Sequence, residues 1–324
     1  MQYPEISEPL RLIRLAPPAR RVRMVLDTDT YNEIDDQFAL VYALLSPESM
    51  KLEAIYAAPF WNDKSTGPKD GMEKSYDEIL RLLDRMDVDP EGLVYKGSTG
   101  YLEEGVQPYD TPAARDLIHR ALSTPEDDPL YVVAIGAITN VASAILLEPE
   151  IIKHIVIVWL GGNPLYWPDT LEFNLNQDVT AAQVVFDCGV PLVQVPCLGV
   201  SSHLLTTVPE LEANLKGKST ICDFLLETFC DYSNDHFAWS KEIWDISAIA
   251  WLINSHWLPS EVVHSPILNP NRTYSHDPRR HFIRTVRMIY RNPIFKDLFT
   301  KLNAHAENPE LALMISKTDP ASIK

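Results

Sequence analysis

Five acidic side chains fall within ten residues near the start of the chain, and their spacing is the clearest chemical signal in the sequence. They are Asp27, Asp29, Glu33, Asp35 and Asp36, and they follow the apolar segment 22–26. Carboxylates crowded together repel one another unless a cation compensates their charge. Oxygen ligands of this kind select Ca²⁺ or Mg²⁺ rather than a soft metal. The sequence therefore predicts a metal site, in preference to a solvated acidic loop that caps a helix.

Asp245 is a second candidate ligand, far from the first group in the sequence. It lies in the segment 243–253, which is apolar apart from this residue and Ser247. A carboxylate in a buried helix is costly unless it is paired or binds a metal. A buried salt bridge would also account for Asp245, but the acidic loop favours the metal interpretation.

In segment 171–178, polar side chains alternate with apolar ones up to residue 176. In an extended conformation, Glu172, Asn174 and Asn176 would lie on one face. Such a row offers hydrogen-bond partners for the hydroxyl groups of a sugar. A polar edge strand is the alternative, and the spacing does not separate the two.

Predicted strands and helices alternate through the first two thirds of the chain. The strands are predicted at 22–26, 52–58, 93–95, 130–135, 155–160 and 192–195, and the helices at 37–45, 72–86, 112–122, 140–147 and 179–187. This alternation predicts an α/β fold, with a mostly parallel central sheet and helices on both faces. Open sheets of this kind bind ligands at the carboxyl ends of their strands, where the acidic loop begins.

The rest of the chain is predicted to be mainly helical. Helices are expected at 208–215, 219–232 and 243–254, and the basic segment 281–303 is predicted to be an amphipathic outer cover. Residues 1–20 contain four prolines and are expected to wrap the surface before the first strand. No composition shift divides the chain, so residues 1–324 are predicted to form a single domain.

Composition limits the class of partner. The formal net charge is −17, which argues against nucleic acid or an anionic membrane as a partner, since both attract basic surfaces. A neutral or cationic small molecule fits better. The four cysteines form neither a CxxC pair nor a zinc-like spacing with histidine, and the sequence contains no run of 18 apolar residues. We therefore expect reduced cysteines and a cytoplasmic protein.

Five ordered motifs carry a resemblance to a known family. They are Asp27-x-Asp29 with Asp35-Asp36, the segment 134–140 (Ala-Ile-Gly-Ala-Ile-Thr-Asn), Trp159-Leu160-Gly161-Gly162, Glu172-Phe173-Asn174 and Trp244-Asp245. Over residues 22–255 the sequence resembles the inosine-uridine-preferring nucleoside hydrolases. The resemblance implies a Rossmann-like fold with one Ca²⁺ at the carboxyl edge of the sheet. It also implies cleavage of the N-glycosidic bond of ribonucleosides, in nucleoside catabolism and purine salvage, by a homodimer or homotetramer.

The resemblance implies a role for each matching residue. Asp29 would bind Ca²⁺ and act as the base toward the attacking water, and Asp27 would support the loop. The remaining metal ligands would be Asp36, Asp245 and the backbone carbonyl of Ile135. Asp35, Glu172 and Asn174 would bind the ribose.

The sequence departs from the family pattern in the acidic loop and after the second strand. Five residues, 30–34, separate Asp29 from the acidic pair where the family has three. The two extra residues could bring Asn32 or Glu33 to the site or could bulge outward. The family's asparagine after the second strand has its nearest match in Asn62, which we predict to bind substrate.

Trp244 stands where many members have a histidine that is a candidate acid for the leaving group. A tryptophan there resembles the purine-preferring members, in which it stacks on the base, so purine nucleosides are expected to be favoured. Simple packing is the alternative role for this side chain. Other aromatic residues on predicted site loops are Trp61, Trp167, Trp239 and His236.

Two other functions remain open on the sequence. Residues 25–30 also resemble the Asp-x-Asp-x-Thr start of haloacid-dehalogenase-type phosphatases, which would make Asp27 a nucleophile and Mg²⁺ the metal. The second alternative is a non-catalytic protein that binds nucleosides or ribose on the same scaffold.

Overall fold

A computed structural model describes residues 3–102, 107–123, 125 and 127–309. The strands in chain order are β1 Val22–Thr28, β2 Met50–Ala57, β3 Val94–Lys96, β4 Leu130–Ala134, β5 Ile155–Leu160, β6 Leu192–Val195, β7 Leu205–Thr206, β8 Lys241–Glu242, β9 Ser260–His264, β10 Ile267–Leu268, β11 Tyr274–Ser275 and β12 Phe282–Val286. The α-helices are α1 Glu8–Leu15, α2 Ile34–Leu44, α3 Pro68–Arg85, α4 Pro112–Leu122, α5 Thr139–Leu147, α6 Phe173–Gln177, α7 Val179–Asp187, α8 Val208–Leu215, α9 Thr220–Cys230, α10 Ile246–Ile253 and α11 Arg291–Glu307. Across these ranges, no helix is long and apolar enough to span a membrane.

Eight strands form the central sheet, in the order β3-β2-β1-β4-β5-β6-β12-β9. Every neighbouring pair in it is parallel except β12 and β9, which are antiparallel. In chain order, β2 and β3 lie on one side of β1, and β4, β5 and β6 lie on its other side. Ligand crevices of open α/β sheets lie at such a switch, outside the carboxyl ends of the two central strands. The predicted α/β class is confirmed, and the acidic loop follows β1 at this switch.

The sheet separates two hydrophobic cores. Strands β4 and β5 are apolar on both faces and buried throughout, as expected for parallel strands covered on both sides. One core packs α2, α3, α9, α10 and α11 against the sheet, and the other packs α4, α5 and α7 against the opposite face. The loops at the carboxyl ends of the strands, and the helices that begin after them, are therefore held by packed layers on both faces of the sheet.

One sequence-based expectation about the C-terminal part of the chain is wrong. Residues 282–286 are not part of an outer cover; they form β12 inside the sheet, because Ile283, Thr285 and Val286 bury their side chains. Within the segment that precedes the first strand, residues 8–15 form helix α1, which packs against β12. Only α11 of the predicted basic cover remains helical.

Candidate active site

The turn from β1 into α2 positions the first group of acids. Asp27 and Asp29 are fully buried at the end of β1, and Asp35 and Asp36 form the first turn of α2. Carboxylates are favoured at a helix N-terminus because the unpaired backbone N–H groups there carry partial positive charge. The Thr28 hydroxyl donates to Asp36 Oδ1 at 2.5 Å and ties the strand end to the helix start.

Asp245 joins this group from the other half of the chain. It is buried, immediately precedes α10, and places a carboxylate oxygen within 4.8 Å of oxygens from Asp35 and Asp36. Burial raises the pKa of Asp35 and of Asp245 well above the usual range, and neighbouring carboxylates raise each further. Three buried like charges at this separation are the arrangement that a divalent cation neutralises.

Asp29 lies beside the cluster, and both of its carboxylate oxygens are buried without a hydrogen-bond partner among the residues that the structure describes. Its pKa is raised by burial first, and then by the charges of Asp36 and Asp35. Asp35 Oδ1 is likewise buried and unpartnered. A Cβ atom at position 136 would come within 2.6 Å of Asp29 Oδ1, so the glycine there makes room for this carboxylate. Unpartnered buried oxygens on Asp29 and Asp35, next to the carboxylates of Asp36 and Asp245, fit a hard cation such as Ca²⁺.

Asp27 has different surroundings. Asn140 Nδ2 donates to its Oδ1 at 2.7 Å and also to the carbonyl of Ala57 at 3.2 Å. Burial raises the pKa of Asp27 to about 7. Asp27 and Asp29 both lie behind the residues that line the cavity described below. Asp27 differs from Asp29 in its hydrogen bond to Asn140, which fits a supporting role at the strand ends.

Glu172 and Asn174 hold the ends of β4 and β5 in place. The Glu172 carboxylate accepts from the backbone N–H groups of Gly162, Asn174 and Leu175 at 2.7, 2.9 and 3.0 Å. Asn174 Nδ2 donates to the carbonyl oxygens of Ile135 and Leu160, both at 3.0 Å. These side chains are therefore fixed before any ligand arrives.

The predicted extended row in segment 171–178 is wrong. Glu172 instead caps the short helix α6, and its bonds to two backbone N–H groups at the start of that helix stabilise the helical turn. Asn176 accepts from Arg272 Nε at 2.8 Å and is not among the cavity residues. Glu172 and Asn174 reach the site through the first turn of a helix.

A cavity of about 260 Å³ brings most of the predicted site residues together. The polar lining includes Asp35, Asp36, Glu172, Asn174 and Asp245. Apolar walls come from Ile135, Leu160, Leu171, Phe173, Leu198 and the half-buried Trp244. A cavity with acids beside an apolar, indole-containing wall suits a ligand that has a sugar on one side and an aromatic ring on the other.

Some predicted residues lie outside this cavity, and other residues line it that the sequence did not single out. Asn62 lines a second, polar cavity of about 770 Å³ and donates to Asn32 Oδ1 at 2.7 Å. Trp61, Trp167, Trp239 and His236 are absent from the lining of the first cavity. Asn32, Glu33 and Cys197 line it. The lengthened loop was the signal for the first two, whereas no sequence pattern identified Cys197.

The comparisons with known proteins agree with this geometry. The model of the inosine-uridine preferring nucleoside hydrolases matches residues 24–290. The chain is 29% identical over 259 residues to a pyrimidine-specific ribonucleoside hydrolase RihA of Escherichia coli, covering 71% of this chain and 79% of that protein. The RihA protein of Salmonella typhimurium is equally similar over 258 residues, with the same coverage.

Solved structures show the same fold. A purine-preferring ribonucleoside hydrolase from Gardnerella vaginalis superimposes with a TM-score of 0.69 at 21% identity, covering 88% of this chain and 99% of that one. A plant nucleoside hydrolase gives the same TM-score at 20% identity, covering 87% and 99%. The family excludes the phosphatase alternative. The chain thus belongs to the inosine-uridine preferring nucleoside hydrolase family, and it is an enzyme that cleaves the N-glycosidic bond of ribonucleosides.

Proposed function

We propose that this enzyme requires Ca²⁺ and favours purine ribonucleosides, which it hydrolyses to the free base and ribose. The observation that supports the metal is the set of buried, unpartnered oxygens on Asp29 and Asp35 next to the cluster of Asp35, Asp36 and Asp245. Asp29, Asp36, Asp245 and the carbonyl of Ile135 would hold the ion. When bound, Ca²⁺ supplies positive charge that orients ribose hydroxyls and polarises water.

Asp29 is the proposed base. Its carboxylate has no competing hydrogen-bond donor, and burial raises its pKa, which makes it a better proton acceptor for an attacking water. Cleavage of an N-glycosidic bond, like that of an O-glycoside, develops positive charge on the sugar ring in an oxocarbenium-like transition state. The surrounding carboxylates stabilise that charge.

Asp35, Glu172 and Asn174 are the proposed ribose ligands. An ionised carboxylate offers about four lone-pair sites, and on Glu172 three backbone N–H groups and the Cys197 thiol hydrogen-bond to them. A ribose hydroxyl would therefore replace the weak thiol donor at Glu172. Both amide hydrogens of Asn174 are used on backbone carbonyls, so only its Oδ1 remains to accept. The ribose hydroxyls would therefore act as donors to this wall.

The purine preference rests on Trp244, which lines the cavity where an aromatic base would stack. The larger ring system of a purine gains more from stacking on an indole than a pyrimidine does. A pyrimidine preference is the second candidate, because the RihA relatives at 29% identity are pyrimidine-specific.

Ribose release tests the proposal. We expect release from inosine, adenosine, guanosine, uridine and cytidine to need Ca²⁺, to stop in EDTA and to return on adding Ca²⁺, with higher kcat/KM for the purines. Asp29→Asn should lower kcat by at least about a hundredfold, as loss of a general base does. Full activity in EDTA would contradict the metal, and higher kcat/KM for uridine and cytidine would contradict the base preference.

A further inference from the structure

The catalytic cavity contains many hydrogen-bond acceptors and few donors. Within the described part of the chain, five of its lining residues are acids: Glu33, Asp35, Asp36, Glu172 and Asp245. A ribose hydroxyl that donates to a carboxylate still has an oxygen that can accept a hydrogen bond. A donor on the opposite side of the sugar would therefore add affinity that the acids do not provide.

Asn32 lines this cavity and carries an amide that could be that donor. The backbone N–H of Lys64 donates to Asn62 Oδ1 at 2.9 Å, and because a backbone N–H only donates, this contact fixes which end of the Asn62 amide is oxygen. Asn62 Nδ2 consequently faces Asn32 and donates to its Oδ1 at 2.7 Å. The Nδ2 of Asn32, with two hydrogens, is the group left to meet a ligand.

The main chain of Asn32 is fixed beside the acids. Its N–H donates to the carbonyl of Asp29 at 2.7 Å. Its carbonyl accepts from Lys64 Nζ at 2.9 Å and from the Tyr232 hydroxyl at 3.2 Å. Asn32 is 7% exposed and lines both the catalytic cavity and the polar cavity that contains Asn62, so its contacts hold it between the two rather than in solvent. The lengthened loop is thus anchored inward at this residue.

We propose that Asn32 Nδ2 donates a hydrogen bond to a ribose hydroxyl, and that Asn62 is a positioning residue that acts through Asn32. This inference rests on the proposed nucleoside substrate and adds a ligand supplied by the lengthened loop. It also gives Asn62 a different role from direct substrate binding, since its own side chain faces Asn32 and Lys64.

Two substitutions at position 32 separate the effect of losing the Nδ2 donor from the effect of adding a negative charge. Asn32→Asp keeps an oxygen for Asn62 Nδ2 and replaces only the donating group, and Asn32→Ala removes the group without adding charge. Both should raise KM about three- to tenfold for inosine, the effect of one neutral hydrogen bond, with a smaller change in kcat. Asn303→Asp, which keeps its contact with Lys218 outside the cavity, is the matched control and should leave KM unchanged. A rise in KM for the Asp variant alone would overturn the inference.

Asn62→Asp tests the positioning role. An aspartate accepts from Lys64 N but offers no hydrogen to Asn32, so the Asn32 amide should turn and direct Nδ2 away from the cavity. We expect KM to rise as in Asn32→Ala, and to rise no further when Asn62→Asp is added to Asn32→Ala. Additive losses would show that Asn62 acts independently and would overturn its assignment.

Deoxynucleosides identify the contact. We would measure the inhibition constants of 2′-, 3′- and 5′-deoxyinosine against inosine, which needs no turnover of the analogue. Asn32→Ala should weaken two of them and leave unchanged the one that lacks the contacted hydroxyl. Equal weakening of all three would place the contact on the base and overturn the inference. A wild-type enzyme that releases no ribose from any nucleoside would instead contradict the proposed function.

Discussion

Three neighbouring acids at the end of β1 and the start of α2 have different surroundings. Asp27 accepts a hydrogen bond from Asn140, and Asp36 accepts one from Thr28. The oxygens of Asp29 accept none. Because a hydrogen bond to a carboxylate stabilises its charged form, the lack of such a donor at Asp29 supports its proposed role as the base. The proposed division of roles among identical side chains therefore follows from the donors that Asn140 and Thr28 provide.

Trp244→Ala tests the base contact at the level of one residue. We expect kcat/KM for inosine to fall about tenfold or more, since stacking of a base on an aromatic side chain contributes about 1–3 kcal/mol. The loss for uridine should be smaller. The measurement is steady-state hydrolysis of both nucleosides, with Trp61→Ala as the control because Trp61 is 58% exposed and outside the cavity. Equal losses on the two substrates would mean that Trp244 only packs.

The elements around the site were predictable to different extents. Apolar runs predict the strands β1, β4 and β5. The spacing of the acidic residues predicts that carboxylates lie between the end of β1 and the start of α2. The prediction for segment 171–178 fails because its alternating pattern suits a strand, whereas Glu172 stabilises a helical turn through bonds to backbone N–H groups that no sequence pattern reveals. The prediction for β12 fails because Arg284 gives the segment a basic character although Ile283, Thr285 and Val286 are buried. The contact between Asn32 and Asn62 depends on two loops meeting, which periodicity does not encode.

Glu172→Gln tests how the start of α6 is held. Glutamine keeps one acceptor oxygen but replaces the other with an NH₂ group. That group cannot accept hydrogen bonds from the backbone N–H groups that now donate to Glu172. We expect the melting temperature to fall by a few degrees, since losing a helix N-cap costs about 0.5–2 kcal/mol. KM for inosine should rise as well. Thermal unfolding is the measurement, and the exposed Glu150→Gln is the control. An unchanged melting temperature would contradict the capping role.

Over the whole molecule, the buried acids make stability depend on pH when no metal is bound. Burial raises the pKa of Asp27 to about 7, compared with about 4 in an unfolded chain, and raises those of Asp29, Asp35 and Asp245. The folded state then holds protons that the unfolded state has released. The stability that each acid contributes is full below pH about 4 and is lost as the pH rises through the raised pKa of that acid, which is about 7 for Asp27.

Calcium should remove most of that loss. We expect the melting temperature in Ca²⁺ to exceed that in EDTA by a margin that grows from pH 5 to pH 8, reaching about 5–10 °C when Ca²⁺ is a hundredfold above its Kd. Burial lowers the pKa of His281 to about 3, which acts in the opposite direction, but this effect is common to both conditions and cancels in the difference. A margin that is constant or shrinks with pH would contradict the assignment of Asp29, Asp36 and Asp245 to the metal.

The acidic cluster draws on both halves of the chain, because Asp35 and Asp36 begin α2 whereas Asp245 precedes α10. During synthesis on the ribosome, the first two acids emerge long before the third. Closing so long a segment of chain costs entropy that packing of α10 against α2 and the sheet must offset. The proposed ligand set is therefore complete only after α10 has docked against α2. Tight binding of the proposed calcium ion would accordingly require that these two distant parts of the chain have come together.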